Sequence, residues 1–355
     1  MKRALVVLFA LAACKQSEPK APQVDVAALK DPNNCRPCHA AVVDEWQASL
    51  HAGAHEDPIF VGVRTLRSKK EQDLETKCAV CHAPVAATSG VTCFACHATA
   101  EVHADRGRGK KALTWSSDGR LYGPSDLPAK KTPVHGTGAA PAHLKDGATL
   151  CLACHGDLAN ADGVPLCQTA TEWEAAKSGK SCVDCHMPPA KGPASVATAK
   201  TEHTSHRFAG PRGLWTTEGA IAERKLVSVS GAIVDGQLEV RVENRTGHAF
   251  PSGFPGRMAK VVATSGDYAQ EVLLAKRHED ADGKPTIAAY AKKITADTRL
   301  LPNETRVVKW PAPEGDAPIE VKVVLRLLPP PLAEKIGVDG PLAAPRVVAK
   351  TTVTR

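Results

Sequence analysis

The sequence predicts two structurally different parts: an α plus irregular domain over residues 31–212, followed by an all-β, Ig-like antiparallel β-sandwich domain over residues 213–355. First, all 12 cysteines of the 355 residues come before this boundary. Second, the later chain contains runs of alternating apolar and polar residues between turn residues, which is typical of half-buried strands. Third, aromatic residues form only 4% of the chain, so the first domain needs another source of large apolar surface.

Ten of the cysteines fall into five Cys-x-x-Cys-His units, a pattern typical of covalent haem attachment. Two thiols add to the haem vinyl groups, and the adjacent histidine becomes the proximal ligand of the iron. Zinc ribbons and disulfides also use paired cysteines, but neither requires a histidine directly after each pair. We therefore predict five haem c groups. The predicted thioether cysteines are Cys35, Cys38, Cys78, Cys81, Cys93, Cys96, Cys151, Cys154, Cys182 and Cys185, and the predicted proximal ligands are His39, His82, His97, His155 and His186.

The second and third units lie close together in the chain. Only ten residues separate His82 from Cys93, and such a connection has limited reach even when it is extended. The two haems are therefore expected to be close neighbours. Five packed macrocycles would also supply the apolar surface that the aromatic residues do not provide.

The first 14 residues are typical of an exported bacterial protein. Lys2 and Arg3 precede a short apolar run from Leu5 to Leu11, which is too short to span a membrane. The following Leu-Ala-Ala-Cys resembles the lipobox of lipoproteins, which implies cleavage of residues 1–13 and lipidation of Cys14; an ordinary secretory signal is the alternative. We expect a lipid-anchored protein of the cell envelope, periplasmic or on the outer membrane, with residues 14–30 as a flexible tether.

The basic composition does not indicate a nucleic-acid partner. The formal net charge is +7, and loss of Lys2 and Arg3 with the signal peptide leaves +5 (7 − 2). Each ferric haem adds roughly −1, counting its iron and its two propionates, so the haem-loaded chain is close to neutral. We therefore expect no nucleic-acid binding.

Histidines outside the five units are candidates for the second, distal ligand of each iron. His51 and His55 lie four residues apart, on one face if the predicted helix through Trp46 continues, and we prefer His51. His103 follows His97 by six residues, close enough to reach a neighbouring haem. The other candidates are His135 rather than His143, His206 rather than His203, and His248. His248 lies in a loop, where a histidine is usually just exposed.

Cys167 stands outside the five units. With Cys14 lipidated it has no partner, and we expect a buried or inert thiol rather than a catalytic one. In the second domain we predict six strands, in the runs that begin at Lys225, Gln237, Met258, Glu304, Ile319 and Arg346.

Several segments resemble the multihaem c-type cytochromes related to the tetrahaem electron acceptor of hydroxylamine oxidation. The similar segments are the first unit with Trp46 to His51, residues 90–97 with His103, residues 172–188 with 205–208, and residues 246–253. The last of these resembles a loop found where such cytochromes carry a C-terminal β domain. The resemblance implies distal ligands at His51, His103, His206 and His248, the last of which would fix the β domain to the haem domain. The haem count and residues 110–143 depart from the family pattern, which leaves the partner of one haem open.

We predict an electron-transfer protein rather than an enzyme. An iron with two histidine ligands has no open position, so it passes electrons without binding a substrate. The expected partners are other redox proteins, such as cytochromes and membrane quinol-linked complexes. The alternative is an oxidoreductase that acts on a small nitrogen or sulfur compound at one open haem. A haem sensor or a purely structural lipoprotein has little support, because five haems exceed what either needs.

Overall fold

A computed structural model describes residues 24–85, 90–103, 106–131, 134–208, 210, 215 and 226–355. The predicted signal peptide and Cys14 lie outside these residues. Within residues 24–30, Leu29 is buried, and Val24 and Val26 pack with it against Phe94. These apolar side chains cover an apolar ring instead of facing water. The flexible tether over residues 14–30 stays a prediction.

Short helices form most of the regular structure in the first part of the chain. They are α1 (Arg36–Gln47), α2 (Pro58–Ser68), α3 (Leu74–His82), α4 (Cys93–His97), α5 (Ala142–Lys145), α6 (Thr149–His155), α7 (Thr169–Ala176) and α8 (Cys182–His186). The hydroxyl of Ser49 donates to the carbonyl of Trp46 at 2.6 Å, and this local bond competes with the helix. Because α1 ends at Gln47, before His51, the helix does not continue through His51 and His55, and the condition for a shared helical face is not met.

Four small antiparallel hairpins accompany these helices. The pairs are β1 (Thr99–Val102) with β2 (Leu113–Trp115), β3 (Lys130–Lys131) with β4 (Gly136–Thr137), β5 (Leu158–Ala159) with β6 (Pro165–Cys167), and β7 (Pro189–Lys191) with β8 (Glu202–Thr204). Among the residues that the structure describes, the apolar cluster around Phe94 has Leu29 and Ala98 as its further buried members. So thin a cluster agrees with the low aromatic content of the sequence.

Two antiparallel sheets form the second part. The three-stranded sheet has the order β14 (Thr305–Pro311), β10 (Gln237–Asn244), β9 (Val227–Val234). The five-stranded sheet has the order β13 (Lys293–Asp297), β12 (Tyr268–Glu279), β11 (Met258–Ser265), β15 (Ile319–Arg326), β16 (Arg346–Val353). Alternate residues of each sheet, such as Leu238 and Val240 in one and Val321 and Val323 in the other, enter one shared apolar core. The Ig-like topology and the domain boundaries stay predictions.

The six predicted segments correspond to β9, β10, β11, β14, β15 and β16; within the described residues the first of these strands begins at Val227 and the fourth at Thr305. Sequence reasoning did not identify β12 or β13. Two short helices, α9 (Pro330–Lys335) and α10 (Gly340–Ala343), lie between β15 and β16. In the part of the chain that the structure describes, no helix is long and apolar enough to cross a membrane.

The two parts are joined by hydrogen bonds of their backbones and side chains. Asn160 donates through Nδ2 to the carbonyls of Ala288 and Ala291 at 2.9 and 2.8 Å. Asn303 donates to the carbonyl of Ala176 at 2.7 Å, and a buried ion pair joins Glu172 to Arg299. The second part thus packs closely on the segment around α7, which leads into the fifth Cys-x-x-Cys-His unit.

Candidate haem-binding sites

The local helical structure orients the attachment groups of each unit. In four units the histidine is the last residue of a short helix, namely α3, α4, α6 or α8. Residues at i, i+3 and i+4 share one side of a helix, so both thiols and the imidazole of a unit face the same way. In the first unit Cys35 precedes α1, and His39 departs from the helical backbone with φ −122° and ψ 36°.

Backbone carbonyls hold the Nδ1 atoms of several unit histidines. Nδ1 of His39 lies 2.8 Å from the carbonyl of Ala194, that of His82 lies 2.9 Å from the carbonyl of Ala54, and that of His97 lies 2.6 Å from a third carbonyl. Such a bond places the proton on Nδ1 and leaves Nε2 as the metal-binding atom. These units are therefore prepared to bind a metal ion through Nε2.

Three pairs of histidine rings lie at the separation that one metal ion between them requires. Two metal–nitrogen bonds of about 2.0–2.1 Å plus the two ring radii place the ring centres about 6.3 Å apart. The centroid distances are 6.1 Å for His51 with His155, 6.0 Å for His97 with His206, and 6.5 Å for His186 with His248. Each pair joins a predicted proximal ligand to a predicted distal one, so these residues fit haem iron.

Burial keeps five of these imidazoles neutral. Burial lowers the pKa of His51 to about 3 and that of His206 to about 4. Burial also lowers the pKa of His97, His155 and His248. At neutral pH these five rings are therefore uncharged, which is the form that binds a metal ion.

Thiols of different units lie close enough to shift one another's pKa. The pairs are Cys35 with Cys93, Cys81 with Cys154, and Cys151 with Cys182. They join the first unit to the third, the second to the fourth, and the fourth to the fifth. Because thioether bonds would tie each haem to its own two cysteines, haems carried by units paired in this way would be neighbours.

The backbone of His51 is held by the segment that precedes the third unit. The indole of Trp46 donates to the carbonyl of Val91 at 2.8 Å, and the amide of Val91 donates to the carbonyl of His51 at 2.8 Å. Gly90 has φ +64°, and a Cβ at this position would clash with the carbonyls of His51 and Ala52. A glycine is therefore needed for this close approach.

The structure separates the roles of His203 and His206. His203 is buried and uses both ring nitrogens within the protein: Nδ1 with the carbonyl of Gly192 at 2.9 Å, and Nε2 with Glu45 at 3.2 Å. The same Glu45 carboxylate accepts the backbone N–H of His206 at 2.7 Å, while Nδ1 of His206 bonds to the carbonyl of Thr204. His206 keeps Nε2 for a metal, so the geometry favours it over its neighbour.

His248 lies in the loop between β10 and β11. Nδ1 of His248 lies 3.2 Å from the carbonyl of Ala249, and the His248 carbonyl accepts hydrogen bonds from Asn244 at 2.8 Å and Thr246 at 2.7 Å. The loop is thus ordered by local bonds, and it carries a histidine from the second part of the chain to the fifth unit.

The structure does not bring every other candidate to a proximal histidine. His103 is exposed, and its Nε2 lies 2.8 Å from the hydroxyl of Thr114. Nδ1 of His135 lies 2.9 Å from the carbonyl of Gly136, and the charges of His39 and His135 add to the burial that lowers the pKa of His97. The roles of His103 and His135 stay predictions.

Two alternatives that the sequence left open also differ from each other. His143 is buried, its ring bonds to the carbonyl of Thr99, and its Nε2 has no partner among the described residues. In His55, Nε2 lies 2.7 Å from a carboxylate oxygen of Glu75, and Nδ1 has no partner among the described residues. Each of the two histidines therefore keeps one ring nitrogen without a protein partner, Nε2 in His143 and Nδ1 in His55.

Two buried carboxylates support the segments that carry predicted distal histidines. Glu45 and Glu172 are both buried, and each supports a segment that carries a predicted distal histidine. No sequence pattern identified them, since buried glutamates carry no local signal.

Cys167 is half-buried, lies 3.2 Å from the hydroxyl of Thr169, and lines a small pocket beside Lys276. That its thiol is inert stays a prediction.

The donor set distinguishes haem from a metal ion held by protein alone. A zinc site needs about four protein ligands, and within the described ranges no group of three or more His, Cys, Asp or Glu residues could hold a metal ion. A haem iron takes four nitrogens from its own macrocycle and needs only one or two ligands from the protein. The paired histidines therefore fit haem and do not fit zinc.

Comparison with known proteins agrees with this chemistry. Residues 34–119 match the model of the family described as cytochrome c554 and c-prime. No curated protein matches the chain. Among solved structures the chain is similar to a penta-heme cytochrome c552 from Thermochromatium tepidum, with 24% identity and a TM-score of 0.72 over 90% of this chain and 98% of that chain. That likeness shows the fold. The motifs, the matched segment and the fold together support a multihaem c-type cytochrome.

Proposed function

We propose that this chain is an electron-transfer protein that carries five haem c groups, most of them bound by two histidines. The observation that carries this proposal is the set of three histidine pairs with ring centres 6.0 to 6.5 Å apart. In this assignment His51 serves the fourth haem, His206 the third and His248 the fifth. Both axial positions of these irons are then closed, so they pass electrons rather than bind substrate.

The contacts between thiols support an order for the haems. The first and third haems are neighbours, and the fourth lies next to both the second and the fifth. The short connection between the second and third units links the first and third haems to the second, fourth and fifth haems. Neutral imidazole ligands, backbone bonds to Nδ1 and the local exposure of each haem would set the individual potentials.

The test is the optical spectrum of the haem-loaded protein, oxidised and reduced, with and without carbon monoxide. An electron carrier with closed irons gives a low-spin spectrum that carbon monoxide leaves unchanged. Mass spectrometry of the same sample is expected to show five covalent haems. High-spin character at three or more irons would contradict the proposed pairs.

A second candidate function is catalysis at the second haem. His82 belongs to none of the three histidine pairs, and its ring stacks on that of Phe60 at a centroid distance of 3.9 Å. An iron there with one protein ligand could bind a small nitrogen or sulfur compound. Carbon monoxide binding by one haem in five would favour this candidate, and turnover of small nitrogen and sulfur oxyanions would then be assayed directly.

We further propose that the mature chain is lipid-anchored at Cys14 in the bacterial cell envelope and exchanges electrons with other redox proteins. The lipobox-like residues 11–14 support the anchor, and the chemistry of haem c attachment supports export. The test is mass spectrometry of the mature N-terminus, with Cys14→Ala as the variant. An acylated Cys14 is expected, and a mature chain that begins elsewhere without lipid would contradict the anchor.

A further inference from the structure

Glu172 is a buried carboxylate at the meeting point of the two parts of the chain. It lies on α7, which leads into the fifth haem unit, and its side chain is 10% exposed. One carboxylate oxygen accepts the backbone N–H of Ala249 at 3.2 Å and the hydroxyl of Ser252. Both partners belong to the loop that carries His248, and Ala249 is the residue directly after it.

The other oxygen of the same carboxylate is fixed by the β sheet. Nη1 of Arg299 donates to Glu172 at 2.7 Å, and the Arg299 guanidinium also donates to both oxygens of Asp297 at 2.9 Å. Lys276 lies 3.9 Å from Asp297 and bonds to Gln168. Two acidic and two basic side chains thus form a charge-balanced cluster, which is the condition under which buried charges persist.

The His248 loop is consequently held from two sides. Asn244 binds the carbonyl of His248 from within the β part, and Glu172 binds the next backbone N–H from the haem part. Of these two contacts with the loop, the one from Glu172 spans the two parts. Its loss would leave the loop attached to its own sheet but free to shift relative to the fifth unit, whose His186 ring lies 6.5 Å from that of His248.

We propose that Glu172 is a positioning residue for the fifth haem: by holding the Ala249 N–H and Ser252, it docks the β part so that His248 reaches the iron carried by the fifth unit. The proposal rests on the assignment of His248 as a distal ligand. Under this proposal, the spin state of the fifth haem shows whether the two parts are docked. A purely structural role of Glu172 would affect stability without affecting that haem.

The test compares four haem-loaded full-length variants by electron paramagnetic resonance and by carbon monoxide binding. Glu172→Ala removes every contact of the carboxylate, and Glu172→Gln keeps an acceptor for Ala249 but loses the charge. His248→Ala removes the ligand itself. The matched control is Glu174→Gln on the same helix, since Glu174 pairs at the surface with Arg106.

In the wild type the fifth haem is expected to be low-spin. Glu172→Ala should convert this haem to a high-spin, carbon monoxide-binding form as His248→Ala does, Glu172→Gln should do so in part, and the control should match the wild type. If His248→Ala leaves every haem low-spin, the ligand assignment itself fails. If His248→Ala opens one haem but both Glu172 variants remain low-spin, the ligand assignment stands and the positioning role is wrong. If Glu172→Ala does not fold, the spin state of the fifth haem in Glu172→Gln tests the positioning role.

Discussion

The backbone of Tyr122 holds His97 at two points. The amide of Tyr122 donates to the carbonyl of His97 at 2.7 Å, and Nδ1 of His97 donates to the carbonyl of Tyr122 at 2.6 Å. Tyr122 belongs to a long segment in which the sequence shows no periodicity. That segment therefore folds back onto the third unit, and it fixes both the position of the histidine and the nitrogen available to a metal.

Substitution of His206 is expected to open the third haem. Without the His206 ring, which lies 6.0 Å from that of His97, the iron loses its sixth ligand. His206→Ala should therefore convert one low-spin haem to a high-spin form that binds carbon monoxide. The measurement is the carbon monoxide difference spectrum, quantified per haem.

His203 provides the matched control for this experiment. It lies three residues earlier and is buried, but both of its ring nitrogens are engaged within the protein. His203→Ala should lower stability and leave all spin states as in the wild type. A new high-spin haem in this variant, or none in His206→Ala, would contradict the assignment.

Gly90→Ala is expected to weaken the site of His51. The substitution combines a left-handed backbone, which costs about 1–2 kcal/mol for other residues, with a clash against the carbonyls of His51 and Ala52. We expect a loss of more than about 2 kcal/mol in the free energy of unfolding, and a perturbed spectrum of the fourth haem. Denaturant titration and electron paramagnetic resonance measure the two effects.

The control is Gly163→Ala. Gly163 also has a positive φ, of +77°, but a Cβ there would meet no atom within 4 Å. It should cost about 1–2 kcal/mol from backbone strain alone, with every haem unchanged. Equal effects of the two substitutions would show that the contact with His51 contributes nothing.

The sequence identifies some features of this molecule far better than others. The Cys-x-x-Cys-His units are local, and the predicted strands alternate visibly, so both could be read from the chain. The strand β12 was missed because its sequence, with Glu271, Leu273, Leu274, Ala275 and Lys276, is rich in residues that favour helices. Pairing with β11 and β13 on its two sides overrides that local preference.

The pairing of histidines could not be read from spacing. His51 and His155 lie far apart in sequence, and their proximity depends on long-range packing, such as that of Val91 on His51 and of the second unit on the fourth. The same holds for Glu45 and Glu172, whose roles arise only from long-range contacts. The end of α1 before His51 likewise depends on the Ser49 hydroxyl and on the docking of Val91.

Mild acid is expected to destabilise the protein. The folded pKa values of His51 and His206, about 3 and about 4, lie below the ordinary value of 6.5. As the pH falls through about 6.5, the unfolded chain binds protons at both residues and the folded chain does not. The part of the free energy of unfolding that these residues contribute above pH 6.5 is therefore lost progressively toward pH 4. Each residue contributes roughly 1.4 kcal/mol per pH unit over this window. Denaturant midpoints at pH 7.5, 6 and 5 measure the decline, and a midpoint that stays constant between pH 7.5 and 5 would contradict buried neutral imidazoles.

A comparison of His143 with His278 tests whether a buried ring nitrogen without a protein partner binds a haem iron. Both rings are buried, and both have an Nε2 without a partner among the described residues. His143 lies on α5 between the third and fourth units, whereas His278 lies on β12 in the second part. A buried unpaired nitrogen costs about 1–3 kcal/mol, and iron coordination would remove that cost for His143 alone. We therefore expect His143→Ala to give one additional carbon monoxide-binding haem, and His278→Ala to leave every haem unchanged. If His143→Ala also leaves the spectrum unchanged, one iron needs a ligand from elsewhere or has none, and catalysis at the second haem gains support.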